Sequence, residues 1–154
     1  MTGSPNAWTR EAGIADEEVG LVTRIVRLNM LVTRVLDDLV EPHRISVQDF
    51  LVLASMRRGR NSPVELCKVL GRTTGGMSLT LDRLVTAGFV DRRPDPADRR
   101  RIIVELTPAG RSKAELINQA LHQWESGLHL TPRLMARQEG YLDEITRLVE
   151  EQGA

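Results

Sequence analysis

Aromatic residues make up only 3% of the 154-residue chain, and Cys67 is its single cysteine. One thiol closes no intrachain disulfide, which excludes a small fold stapled by bridges and makes a reducing cytoplasm the expected home. No apolar run approaches the roughly 18 residues of a membrane span, and the opening MTGSPNAWTREAGIADEE has no apolar segment of signal-peptide length. No nucleophile elbow, phosphate-binding loop or pair of acids on one helical face is present, so neither an enzyme nor a cofactor is expected. His43, His122 and His129 share no helical face, and with one thiolate they give no metal site. Net charge is missing as well, because 21 Lys and Arg cancel 21 Asp and Glu.

That cancellation hides an uneven distribution. Residues 57–113 hold 13 basic and 6 acidic side chains, a net of +7, and the flanks hold 8 and 15, a net of −7. A basic middle between acidic ends is the pattern of a polyanion-binding module carried on a separate helical frame. With 41% hydrophobic residues, chiefly Leu, Val and Ile, the composition predicts one mainly helical domain with a real core.

Between Asp16 and Glu41 there is no proline, and Ile25, Leu28, Val32, Val35, Leu36 and Leu39 recur at spacings of three and four. A long helix follows. A second apolar line through Val19, Val22, Val26 and Met30 widens its hydrophobic surface, so one face can pack inward while the other meets a partner. Later helix starts are marked by capping side chains at Ser46, Ser62, Thr107 and Thr131, with Asp49 and Glu65 placed to complete capping boxes. The last two helices carry stripes at Ile117, Ala120, Leu121, Trp124 and Leu128, and at Leu134, Leu142, Ile145, Leu148 and Val149.

The informative segment lies between these helices. TTGGMSLTLDRLVTAG reads as a helix capped by Thr73 or Thr74, with Met77, Leu81 and Leu84 inward and Gly88 as its stop. FVDRR and RIIVEL then turn to strand character, with Ile102, Val104 and Leu106 alternating against Arg101 and Glu105. The prolines of PDPAD lack ladder donors, so the strands should form a hairpin with an exposed, arginine-rich tip. The fold class expected is mainly α with a small β wing: a winged helix-turn-helix over 46–106, its wing at 89–106, framed by helices at 16–41 and 108–152. Residues 1–15 are expected to be a flexible lead-in, and 16–154 one domain.

The stretch LCKVLGRTTGGMSLTLDRLVTAGFVDRRPDPADRRRIIVELTPAG, residues 66–110, resembles the core of the MarR family of bacterial transcriptional regulators. Its most specific piece is Asp98 and Arg100 in a D-x-R arrangement, followed by an alternating strand and LTPAG. The resemblance implies a homodimer interlocked through the first and the last two helices, binding a near-palindromic double-stranded operator. It also implies a repressor released by a small molecule, often an anionic aromatic, whose binding residues here are unknown. Some members sense oxidants through cysteine. Cys67, on the apolar side of its short helix beside Leu66 and Leu70, reads instead as a buried inert thiol, with Lys68 keeping the sensor alternative open.

A recognition helix in the major groove contacts bases through its first turns. With Met77 and Leu81 buried, Thr74, Gly75, Ser78 and Leu79 are the expected DNA-facing set, with Arg72 and Thr73 at the approach. Glycine at 75 and 76 costs about 1 kcal/mol each against alanine in a helix interior, a cost that backbone approach to phosphate at a helix N-terminus would offset. The bland alternative is a first turn where glycine is harmless. Leu79 departs from the family's usual polar or basic residue and could meet a thymine methyl or a protein partner. By resemblance, Asp98 pairs with Arg100 and aims it into a narrow minor groove, where negative potential concentrates. Arg99 and Arg101 would meet flanking phosphates, and Arg83 is as readily a structural ion pair as a phosphate contact. The competing function is a protein-interaction module that uses a winged-helix dimer as scaffold, its basic wing meeting an acidic protein.

Overall fold

Helix α1 (Leu21–Val40) follows an extended Gly20 and runs into a single 3-10 turn at Glu41–His43, closed by Arg44 in the left-handed region with φ 55°. The computed structural model describes residues 20–129 and 131–152, so the lead-in expected at 1–15 and helix positions 16–19 lie outside the described residues. Helix α2 (Val47–Arg57) starts on a complete capping box. Ser46 Oγ accepts from the Asp49 amide at 3.1 Å, and the Asp49 carboxylate accepts from the Ser46 amide at 3.0 Å.

Helix α3 (Pro63–Val69) is capped by Ser62, whose Oγ accepts from the Glu65 amide at 3.5 Å. Only half of the expected box forms there. The Glu65 carboxylate turns to Arg60, 2.6 Å away, because a guanidinium is a stronger donor than a neutral amide. Helix α4 (Thr74–Thr86) is capped by Thr73 and ends at Gly88, whose φ of 74° is a left-handed conformation open to glycine.

Strands β1 (Val90–Pro94) and β2 (Ile102–Leu106) pair antiparallel in the register Val90 to Leu106 through Pro94 to Ile102. On the other edge of the hairpin, the Val104 amide donates to the Asn61 carbonyl at 2.8 Å, fastening the wing to the loop before α3. Helices α5 (Pro108–Gly127) and α6 (Pro132–Gln152) complete the described chain. Helix, helix, helix, hairpin in the order α2, α3, α4, β1, β2 is a winged helix-turn-helix.

Two buried clusters hold it together. Leu53, Leu66, Met77, Leu81, Val90 and Val104 join α2, α3, α4 and the hairpin, and each full burial of such a side chain contributes roughly 1.5–3 kcal/mol. Val40, Val47, Phe50, Ala54 and Ile117 join the end of α1 to α2 and α5.

The LTPAG segment joins wing to frame. Thr107 Oγ1 donates to the Gly88 carbonyl at 2.7 Å and accepts from the Gly110 amide at 3.0 Å, while the Thr107 amide donates to Phe89 O at 3.1 Å. Helix α5 therefore starts hard against the wing's base. A Cβ on Gly110 would lie 2.0 Å from the Phe89 carbonyl oxygen, so only glycine fits.

The frame helices are only partly covered. Along α1, Val22 is 72% and Met30 66% exposed, and on α6 Val149 is 65% exposed with Leu142 and Leu148 also open. Helix α6 makes no extensive contact with any other described element. No helix among the described residues is long and apolar enough to cross a membrane.

Candidate nucleic-acid interface

The inward row of α4, Met77, Thr80, Leu81 and Leu84, is fully buried, which turns Thr74, Gly75, Ser78 and Leu79 outward on its opposite face. Leu79 is 66% exposed, a large apolar side chain on an otherwise small and polar surface. The first turn is held by Thr73 Oγ1, which accepts from the Gly76 amide at 3.2 Å. Gly76 has a local reason to lack a side chain, since its Cβ would lie 3.2 Å from Thr73 Oγ1 and 3.4 Å from the Arg72 guanidinium. Gly75 has none, because nothing in the chain lies within 4 Å of where its Cβ would stand.

Arg72 is half-buried and folds over this turn. Its Nη1 donates to Thr80 Oγ1 at 3.1 Å and its Nη2 to the Gly76 carbonyl at 3.5 Å, and the Thr80 hydroxyl donates to the same carbonyl at 3.1 Å. A hydroxyl buried in a helix interface needs such a partner. Arg72 thus has an internal, bracing role beside its expected place at the approach to DNA. The burial of Thr80 was not visible as apolar periodicity.

A second brace orients α4 against α2. Arg83 Nη2 lies 2.7 Å from Asp49 Oδ1, which settles Arg83 as a partner in a structural ion pair. Burial pushes the Asp49 carboxyl up, but the Ser46 amide, the Arg83 guanidinium and the Ser46 hydroxyl together outweigh it and hold the group below its ordinary value. The carboxylate is charged, capped and paired at once.

The wing sorts its five arginines into two groups. At its base, Arg92 Nη1 is 2.6 Å from Asp82 Oδ1, and Arg93 is ion-paired with Glu105. At its tip, Arg99, Arg100 and Arg101 are exposed and, among the described residues, form no ion pair. The tip is internally tied: the Asp95 amide donates to the Arg101 carbonyl and the Arg101 amide to the Asp98 carbonyl, both at 2.9 Å. The Ala97 amide donates to Asp95 Oδ1 at 2.8 Å.

Asp98 departs from the arrangement that the resemblance implied. Its carboxylate accepts from the Arg100 backbone amide at 3.0 Å and makes no ion pair with the Arg100 side chain. A short acidic side chain in a tight turn reaches the amide two residues on more readily than a long side chain's far end. Asp98 shapes the loop, and the Arg100 guanidinium stays available.

Other candidate positions lie apart from this surface. Cys67 is half-buried against the core beside Leu66. His122 Nδ1 lies 3.1 Å from Glu125 on α5, and among the described residues no three potential metal ligands converge. An apolar groove of about 780 Å³ runs between α1, α2, α5 and α6, lined by Leu28, Val32, Leu51, Leu121, Trp124 and Met135 among others. A smaller cleft of about 550 Å³ lies between Arg44, Asp49, Leu79, Arg83 and Phe89.

Comparison with known proteins agrees with this geometry. The sequence profile of the MarR family matches residues 45–101. The multiple antibiotic resistance protein MarR of Escherichia coli is 35% identical over 139 residues, covering 87% of this chain and 93% of that protein. The transcriptional regulator PecS of Dickeya dadantii is 31% identical over 121 residues, covering 75% of this chain and 71% of the relative. Among solved structures, a mutant of Escherichia coli MarR complexed with operator DNA superposes with a TM-score of 0.63 at 35% identity, covering 82% of this chain and 99% of the other.

Proposed function

This chain belongs to the MarR family and is a DNA-binding transcriptional regulator, and we propose that it acts as a cytoplasmic homodimer that represses from a near-palindromic duplex and is released by a small anionic or aromatic effector. The observation that carries this reading is the charge sorting of the wing. Of the wing's five guanidinium groups, the three left without a carboxylate partner among the described residues sit together on a loop rigidified by its own amides. Exposed, desolvation-ready arginines at a fixed spacing suit a polyanion with fixed phosphate spacing.

In this reading Arg100 enters the minor groove, Arg99 and Arg101 meet flanking phosphates, and the exposed turn of Thr73, Thr74, Gly75 and Gly76 meets the major-groove edge with Ser78 and Leu79. Arg72 supports that turn from beneath. Two copies held roughly one helical turn apart present two such surfaces. The open apolar faces of α1 and α6 support the dimer, since contiguous exposed apolar surface of this kind marks an interaction site. The groove between α1, α2, α5 and α6, walled on several sides by elements that also carry the DNA-binding domain, suits an apolar effector.

Selection of bound duplexes from random DNA, run with wild type and Arg100→Ala, tests the proposal. Wild type is expected to recover a two-fold symmetric site, and the variant to bind it more weakly with at most a local change in preference. No enrichment by wild type at low salt would refute it.

A further inference from the structure

The wing's base and the recognition helix α4 are joined by an exposed ion pair between Arg92 and Asp82. Asp82 follows Ser78 by four residues and Leu79 by three, so its carboxylate stands on the same exposed face of α4 as the DNA-facing set. A bare carboxylate there would oppose the phosphates the helix approaches. Arg92, two residues after buried Val90 and therefore on the face of β1 that looks toward α4, covers it. Its Nη1 lies 2.6 Å from Asp82 Oδ1 and its Nη2 donates to the Ser78 carbonyl at 3.4 Å. One guanidinium thus spans from the wing strand to two points of the recognition helix, one turn apart.

We propose that the Arg92–Asp82 pair is a positioning device that fixes the wing at a set angle to the recognition helix, so that the tip arginines and the first turn of α4 reach adjacent grooves together. The inference rests on the DNA-binding reading and deepens it. Both side chains are substantially exposed, and exposed pairs contribute little to folding. Their effect falls on the geometry of a surface that must match a rigid duplex in two places, where a small misplacement of one half weakens the grip of both. Neither residue touches DNA in this proposal. Asp82 acts through Arg92, and Arg92 acts through the placement of Arg99–Arg101.

The device makes a prediction opposite to simple electrostatics. Removing a negative charge beside DNA should tighten binding if Asp82 is only a charge, and should weaken it if Asp82 anchors the wing. The test measures affinity of the full-length protein for the duplex that wild type selects, across a range of salt. Asp82→Asn and Arg92→Gln are each expected to weaken binding about tenfold, and the double variant to be no weaker than the worse single one. Arg92→Lys, which keeps an ion pair, should recover most of the affinity, and the salt slope should be unchanged in all four. Melting temperatures close to wild type would confirm that the variants are folded, and Asp82→Glu, which keeps the charge, provides a folded control if Asp82→Asn is not.

Tighter or unchanged binding by Asp82→Asn overturns the proposal. So do additive effects of the two substitutions, or a salt slope in Arg92→Gln reduced by about 0.9 per copy, the mark of a phosphate that Arg92 itself neutralises. Failure here is separable from failure of the DNA-binding reading. If wild type binds and Arg100→Ala weakens it while Asp82→Asn does not, the lock alone is wrong; if wild type selects no duplex, the DNA-binding reading is wrong and the lock falls with it.

Discussion

Gly75→Ala separates what the fold needs from what DNA needs. The added methyl meets no atom of the chain within 4 Å, so it introduces no clash. Alanine lowers the backbone entropy of the unfolded chain and favours helix by up to about 1 kcal/mol in an interior position, and by less in a first turn. Urea unfolding should therefore show a variant as stable as wild type or more so, by a few tenths to about 1 kcal/mol. Binding should move the other way. If the Gly75 backbone approaches a phosphate, a methyl holds the helix about 1 Å or more off its track and weakens charge-assisted hydrogen bonds, at about 1–2 kcal/mol for each copy. With two copies per duplex the loss is on the order of 30- to 1,000-fold in affinity. Fluorescence anisotropy on the selected duplex would read it. A variant that is destabilised, or that binds as tightly as wild type, would refute the argument and leave Gly75 as an ordinary first-turn residue.

Gly110→Ala should behave in the opposite way, destabilising the fold despite alanine's helix preference. Its Cβ would lie 2.0 Å from a fixed backbone oxygen, and moving α5 away breaks the Thr107 bonds to Gly88 and Phe89, for a cost of about 2–4 kcal/mol by thermal or urea unfolding. An unchanged midpoint would contradict that packing. Asp49 should contribute to the acid limb of stability. Its folded-state carboxyl is held below the ordinary value of 3.8, so as pH falls the unfolded chain takes up a proton first. The contribution is present above that value and lost below it, and Asp49→Asn should be less stable at neutral pH with a shallower decline on acidification. An acid limb identical to wild type would remove Asp49 from the stabilising network.

Much of this architecture was legible in the sequence because short-range physics sets it. Ser46, Ser62, Thr73 and Thr107 cap helices as their chemistry requires, and Met77, Leu81 and Leu84 pack inward as their spacing requires. The hairpin forms on either side of PDPAD, though β1 extends to Pro94, a strand's last position where a missing amide matters least. What stayed hidden were the choices that long polar side chains make in three dimensions. Glu65 prefers Arg60 to the Ser62 amide, Arg72 turns to Thr80, and Asp98 takes an amide instead of a guanidinium. Charge counting saw five wing arginines but could not sort paired Arg92 and Arg93 from unpaired Arg99, Arg100 and Arg101. The strand alternation that places Arg92 over α4 was the one available signal for that sorting.

The salt dependence of duplex binding by wild type and by a variant with Arg99, Arg100 and Arg101 all changed to alanine is the most direct test of the wing's role. If Arg99 and Arg101 of two copies meet phosphates, four such interactions disappear and the slope of log affinity against log salt should become shallower by about 3–4. An unchanged slope, with wild type bound to the same duplex, would show that the wing tip is not where this protein meets DNA.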